Sequence, residues 1–135
     1  MQTKKKKVVL DSNAVLRYLT KDNEEKAEEV LQTIQTAEKI IITVPTVLEV
    51  VYVLKSTRHR YKWTRKQIAD TLTDLLAMDK VESDPLLLEA LFLWREEKKV
   101  DDLEDIFNCL VARDEDASLL TYDENLQELC FKLLS

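Results

Sequence analysis

Four carboxylates occupy positions where chemistry could be assembled. Asp11 directly follows the apolar run Val8-Val9-Leu10, and Glu49 comes shortly after the run Ile40 to Val44. Asp105 stands in the first turn of a predicted helix, and Asp123 directly follows Leu119-Leu120-Thr121-Tyr122. If the apolar runs are parallel strands, the loops at their carboxyl ends converge on one rim, where open α/β sheets bind ligands. Ionised carboxylates crowded there raise one another's pKa and repel, so the cluster calls for a cation. An oxygen-only donor set suits Mg2+ or Mn2+. Such an ion lowers the pKa of a bound water and stabilises charge on a phosphodiester under attack, which is nuclease chemistry.

Each acid also has a purely structural role open to it. Asp11 can cap the first helix, Glu49 can close a capping box with Thr46, Asp105 favours a helix N-terminus, and Asp123 can make a turn. The joint placement of all four, and no single one of them, points to a site.

Composition narrows the alternatives. The chain has 135 residues, with 20 Lys and Arg against 26 Asp and Glu, for a net charge of −6. That length is one domain's worth, spanning 1–135 with residues 1–7 as a basic tail. A hydrophobic share of 45% beside 34% charged residues is a globular mix that can bury a core. With no glycine at all, the Walker loop and the dinucleotide-binding fingerprint are excluded. Cys109 and Cys130 are far apart and His59 is the sole histidine, so no Cys/His zinc cage forms. The cysteines are expected as reduced thiols in a cytoplasmic protein, Cys109 serving as packing. Lys4 to Lys7 lead into only three apolar residues, too few for a signal peptide, and the stretch Ile40 to Leu54 is too broken to span a membrane.

The elements that must position the acids follow from periodicity and capping chemistry. Val8 to Leu10 reads as a strand, with a helix from Ala14 through Leu19 behind the cap residues Ser12 and Asn13. Asp22-Asn23-Glu24-Glu25 resembles a capping box for a second helix. Ile40 to Val44 is apolar on both alternating faces, as a central parallel strand is, and Thr46 to Glu49 opens a buried helix through Leu54. Thr64 and Gln67 form another capping box, flanked by the staple pair Trp63 and Ile68. Lys80 to Glu82 reads as an edge strand, and Asp84-Pro85 starts a fifth helix. Asp102 to Asp105 opens a sixth, Ala117 to Tyr122 reads as a buried strand, and Asn125 to Leu134 closes the chain as a helix. Strands alternating with helices predict an α/β domain with a mostly parallel sheet.

The segments Val8-Val9-Leu10-Asp11-Ser12-Asn13, Pro45-Thr46-Val47-Leu48-Glu49, Asp102-Leu103-Glu104-Asp105 and Leu119-Leu120-Thr121-Tyr122-Asp123 together resemble the PIN-domain family. Their order and spacing are similar to those of VapC-type toxins of toxin–antitoxin pairs, from Val8 to about Leu129. The resemblance implies a three-layer α/β/α sandwich and a Mg2+- or Mn2+-dependent endoribonuclease, with Asp11, Glu49, Asp105 and Asp123 around the metal. It makes Asp102 an auxiliary acid, with Asn13 and Thr121 holding the acids in place by hydrogen bonds. It also implies a homodimer and a cognate antitoxin lying along a groove. The chain departs from the family at Lys99-Val100, where small residues are usual, and at Asn108 and Cys109, which bears on loop shape and substrate access.

An RNA enzyme of net charge −6 needs a local positive field. Arg58, Arg60, Lys62, Arg65 and Lys66, interleaved with Tyr61 and Trp63, together with Arg17 and the run Lys4 to Lys7, are the candidate RNA contacts. The same stretch also reads as a helix staple with a solvated loop, and His59 is assigned no role. Two other functions compete. One is an inactive PIN-like module that binds RNA or protein while the acids merely cap helices. The other is a phospho-acceptor domain, which wants adjacent acids after the first strand and a lysine after the last, where this chain has Ser12 and Asp123.

Overall fold

Short β-branched runs pair in parallel in the first part of the chain, while the rest is helical. A computed structural model describes residues 7–56 and 61–134. It divides into two compact units, the first running to Asp84 and the second starting at Pro85.

The first unit contains β1 (Lys7–Val9), α1 (Ser12–Thr20), α2 (Glu24–Thr36), β2 (Lys39–Ile41), α3 (Val44–Lys55), α4 (Arg65–Leu76) and β3 (Val81–Glu82). The sheet order is β1-β2-β3, parallel throughout, with Val8 opposite Ile40 and Ile40 opposite Val81. Parallel neighbours need crossover connections, and the pairs α1–α2 and α3–α4 supply them. Ile40 is fully buried on the central strand, and Val47, Val50, Val51 and Leu54 line the buried face of α3. The expected α/β class with a parallel sheet is therefore present, and β3 is the expected edge strand. Lys7, expected in the basic tail, instead opens β1, and the rest of that tail lies outside the described residues.

Two starts differ from expectation. The central strand ends at Ile41, not Val44, although the Ile42 amide still donates to Glu82 O at 3.0 Å. Pro45 explains this, because its fixed φ suits the first helical turn and it has no N–H for a ladder. Thr43 becomes the N-cap of α3 and its hydroxyl donates to Thr46 Oγ1 at 3.2 Å, so Thr46 and Glu49 form no capping box. At α2 the cap is Asn23, whose Oδ1 accepts from the Lys26 amide at 3.0 Å. The capping box of Thr64 and Gln67 at α4 is as expected. The far end of α2 is held by Lys80, whose Nζ donates to the carbonyls of Ile34, Gln35 and Ala37 at 2.6, 3.2 and 2.8 Å.

The second unit contains α5 (Leu86–Glu96), α6 (Leu103–Asp114) and α7 (Glu124–Leu134). Trp94 is buried against this core and its indole N–H donates to Asp101 O at 2.8 Å. Arg113 on α6 grips Glu89 on α5 through both terminal guanidinium nitrogens. Two expectations fail here. Ala117 to Tyr122 forms no strand, with Leu120 83% and Tyr122 90% exposed. A strand exists only as part of a ladder, and the described residues of this unit hold no other strand to pair with. Nor are the cysteines free: Cys109 on α6 and Cys130 on α7 are joined in a disulfide, because helix packing brings their Cα atoms to 5.5 Å.

Candidate functional site

The acids divide between the units. In the first, the Leu10 amide donates to Ile41 O just beyond β1, and Asp11 follows in extended conformation as the N-cap of α1. Its Oδ1 accepts from the Ala14 amide at 2.8 Å, so the capping role open to Asp11 is realised. Asn13 lies exposed in the first turn of the same helix. Glu49 is exposed on α3, one turn further along than its expected capping-box position.

In the second unit, Asp102 is the N-cap residue of α6 without a side-chain cap bond, and Asp105 follows in the first turn, half-buried. Asp123 precedes α7 and its Oδ1 accepts from the Leu126 amide at 3.0 Å. The Asp123 amide in turn donates to Thr121 Oγ1 at 3.2 Å. Burial first, then the negative charges of Asp102, Asp123 and Glu104, push the Asp105 carboxyl above its ordinary value. The second unit thus brings Asp102, Glu104 and Asp123 within electrostatic reach of Asp105.

Two residues of this arrangement escaped the sequence. Glu104 adds to the repulsion on Asp105. Gln127 donates its side-chain amide to Thr121 O at 2.6 Å and so braces the segment before Asp123. No local spacing signals Gln127, because its side chain reaches back past the start of α7 to a carbonyl six positions earlier.

Among the described residues, no three His, Cys, Asp or Glu side chains are grouped so as to hold a metal ion. What bears on a cation is the chemistry of the donors. All are hard carboxylate oxygens, the type that Mg2+ and Mn2+ prefer, and the rise at Asp105 comes from burial first and then from like-charge repulsion, the second of which a cation relieves.

The basic candidates are unevenly placed. Arg17 donates from Nη1 to Asp22 Oδ1 at 3.1 Å, Lys62 is exposed, and Arg65 begins α4. Arg58 and Arg60, with His59, lie outside the described residues. At the family departures, Val100 is buried, Lys99 O accepts from the Asn125 side chain at 3.4 Å, and Asn108 is exposed on α6. A groove of about 660 Å3 opens between α1, α2 and α4, lined by Tyr18, Leu19, Leu31 and Leu75 together with Glu24, Glu28, Asp74 and Lys21. None of the candidate acids lines it. No helix among the described residues is long and apolar enough to cross a membrane.

Searches of curated proteins and of solved structures found no match. The family model of the PIN domain matches residues 8–132, which takes in all five candidate acids. PIN domains are typically nucleases, enzymes that bind RNA and commonly use divalent metals. With nearly its whole length matched, the chain belongs to the PIN domain family.

Proposed function

We propose that the chain is a Mg2+- or Mn2+-dependent endoribonuclease acting in the cytoplasm as the toxin of a type II toxin–antitoxin pair. In this proposal Asp11, Glu49, Asp105 and Asp123 hold the cation, with Asp102 as an auxiliary acid and Asn13 and Thr121 as positioning residues. The observation that carries it is Asp105, a half-buried carboxyl raised first by that burial and then by the charges of Asp102, Asp123 and Glu104 around it. Perturbed acids of this kind concentrate at functional sites.

The bound ion would supply an activated water and stabilise charge on the phosphodiester. The chain's own residues prepare for it. Asp105 holds a proton more tightly than a solvated aspartate, so cation binding competes with that proton and strengthens as the pH rises. Thr121 and Gln127 fix the backbone on which Asp123 is presented. Arg17, Lys62 and Arg65, together with Arg58 and Arg60, would contact RNA phosphates. The groove between α1, α2 and α4 is lined by apolar side chains and by Glu24, Glu28 and Asp74 against Lys21, which suits a cationic amphipathic segment of the antitoxin. Tyr52, 52% exposed on α3, offers apolar surface to a homodimer.

A binding module without catalysis is favoured by one observation, that Asp11 and Asp123 both cap helices. Cleavage of total RNA and tRNA by the purified chain with Mg2+ or Mn2+, beside EDTA and Asp105→Asn controls, separates the two readings. Discrete fragments absent from both controls are expected, and intact RNA under every condition would favour the module.

A further inference from the structure

The disulfide between Cys109 and Cys130 joins the helix that presents Asp105 to the helix that Asp123 caps. The second of these buries few side chains. α7 has 11 residues and buries only Leu126, Leu129 and Cys130, while Phe131 is 76% exposed. A helix of that length does not persist alone in water, so α7 depends on its packing against α6 and on the covalent bond. Cys109 is fully buried and Cys130 only 6% exposed, so a reductant reaches the bond when the end of α7 frays.

We propose that the Cys109–Cys130 bond is a redox latch on α7, opened by a dithiol reductant. A thiolate of the reductant attacks Cys130 Sγ, the sulfur–sulfur bond breaks, and Cys109 leaves as a thiolate that takes up a proton. The reductant's second thiol then displaces Cys130, leaving two protein thiols and an oxidised reductant, with two electrons and two protons transferred to the protein. Oxidised, the latch holds α7 against α6; reduced, it lets α7 open. Closing a loop across 21 residues suppresses that opening by roughly 100-fold. The latch stands on the helix packing and the bond, independently of the nuclease reading.

The test uses the full chain, oxidised with glutathione disulfide or reduced with dithiothreitol, and reads thiol alkylation by mass and amide hydrogen exchange by segment. No RNA is present, so the outcome leaves the nuclease assignment untouched. Two thiols should alkylate only after reduction, and exchange in α7 should then quicken by about 100-fold while β2 and α3 keep their rates. Cys109→Ser/Cys130→Ala should exchange in α7 like the reduced chain under both treatments. Two reactive thiols in the oxidised chain, or α7 rates unchanged by reduction, would overturn the proposal.

Discussion

Tyr61 donates its phenolic hydrogen to Asp22 Oδ2 at 2.6 Å, joining the segment before α4 to the turn between α1 and α2 across 39 residues of sequence. That bond is the largest cause holding the Asp22 carboxyl down at about 2, with Thr20 and Arg17 adding to it. A carboxyl depressed on folding contributes stability that is present above its unfolded value of 3.8 and lost as the pH falls toward 2. Tyr61→Phe is expected to cost about 1 kcal/mol at pH 7 and less at pH 2, where Asp22 is largely protonated. Urea melts at the two pH values check this, and an equal loss at both would contradict it.

Lys80 places its ammonium among three carbonyls at the end of α2, where cations complement the helix dipole. Lys80→Met removes these charge-assisted bonds and leaves the carbonyls of Ile34 and Ala37 without that donor. A loss of about 2 kcal/mol is expected, read as a lower urea midpoint at unchanged slope. A variant as stable as wild type would show that water replaces the ammonium.

Asp105 carries the opposite sign to Asp22. Its carboxyl is raised on folding, so the metal-free protein loses stability as the pH rises from 3.8 through the folded value. Asp105→Asn abolishes that segment of the pH profile and should melt at the same temperature as wild type or up to a few degrees higher in EDTA at pH 7. Added Mn2+ should raise the melting temperature of wild type and not of the variant. Equal Mn2+ stabilisation of both would remove Asp105 from the proposed metal ligands.

Arg113 and Glu89 form a two-pronged pair, Nη2 to Oε1 at 2.8 Å, with both side chains partly open to solvent. Solvent screening limits such a pair, so a double-mutant cycle of Glu89→Gln and Arg113→Met is expected to give a coupling of about 0.5 kcal/mol. The Arg113 guanidinium holds the Glu89 carboxyl below its ordinary 4.5, so the coupling should fade as the pH drops beneath that value. A coupling that survives at pH 2 would point to packing of the arginine stem.

Features that depend on a few neighbouring residues were legible along the chain. The capping box of Thr64 and Gln67 spans three positions, Asp11 follows a β-branched run, and Asp102 to Asp105 open a helix, each through backbone bonds made within one turn. The resemblance to the PIN-domain family, read from the same short segments, agrees with the match over residues 8–132.

What stayed hidden depends on segments distant in sequence coming together. Asp22 and Asn23 are both good caps, and Tyr61, 39 residues away, engages Asp22 while Asn23 caps α2. The apolar run Ala117 to Tyr122 could be written as a strand, but pairing needs a neighbour that local propensity does not specify. Cys109 and Cys130 are 21 positions apart in sequence, a separation that says nothing of distance until α6 and α7 pack. The charges on Asp105 are plain in the sequence, yet the rise in its pKa comes from burial and from Asp123 across the loop. Residue order along the chain thus settled the α4 capping box and the opening of α6, because those follow from hydrogen bonds a turn long. Three-dimensional packing settled which groups share an environment, because desolvation, repulsion and bond formation act through space.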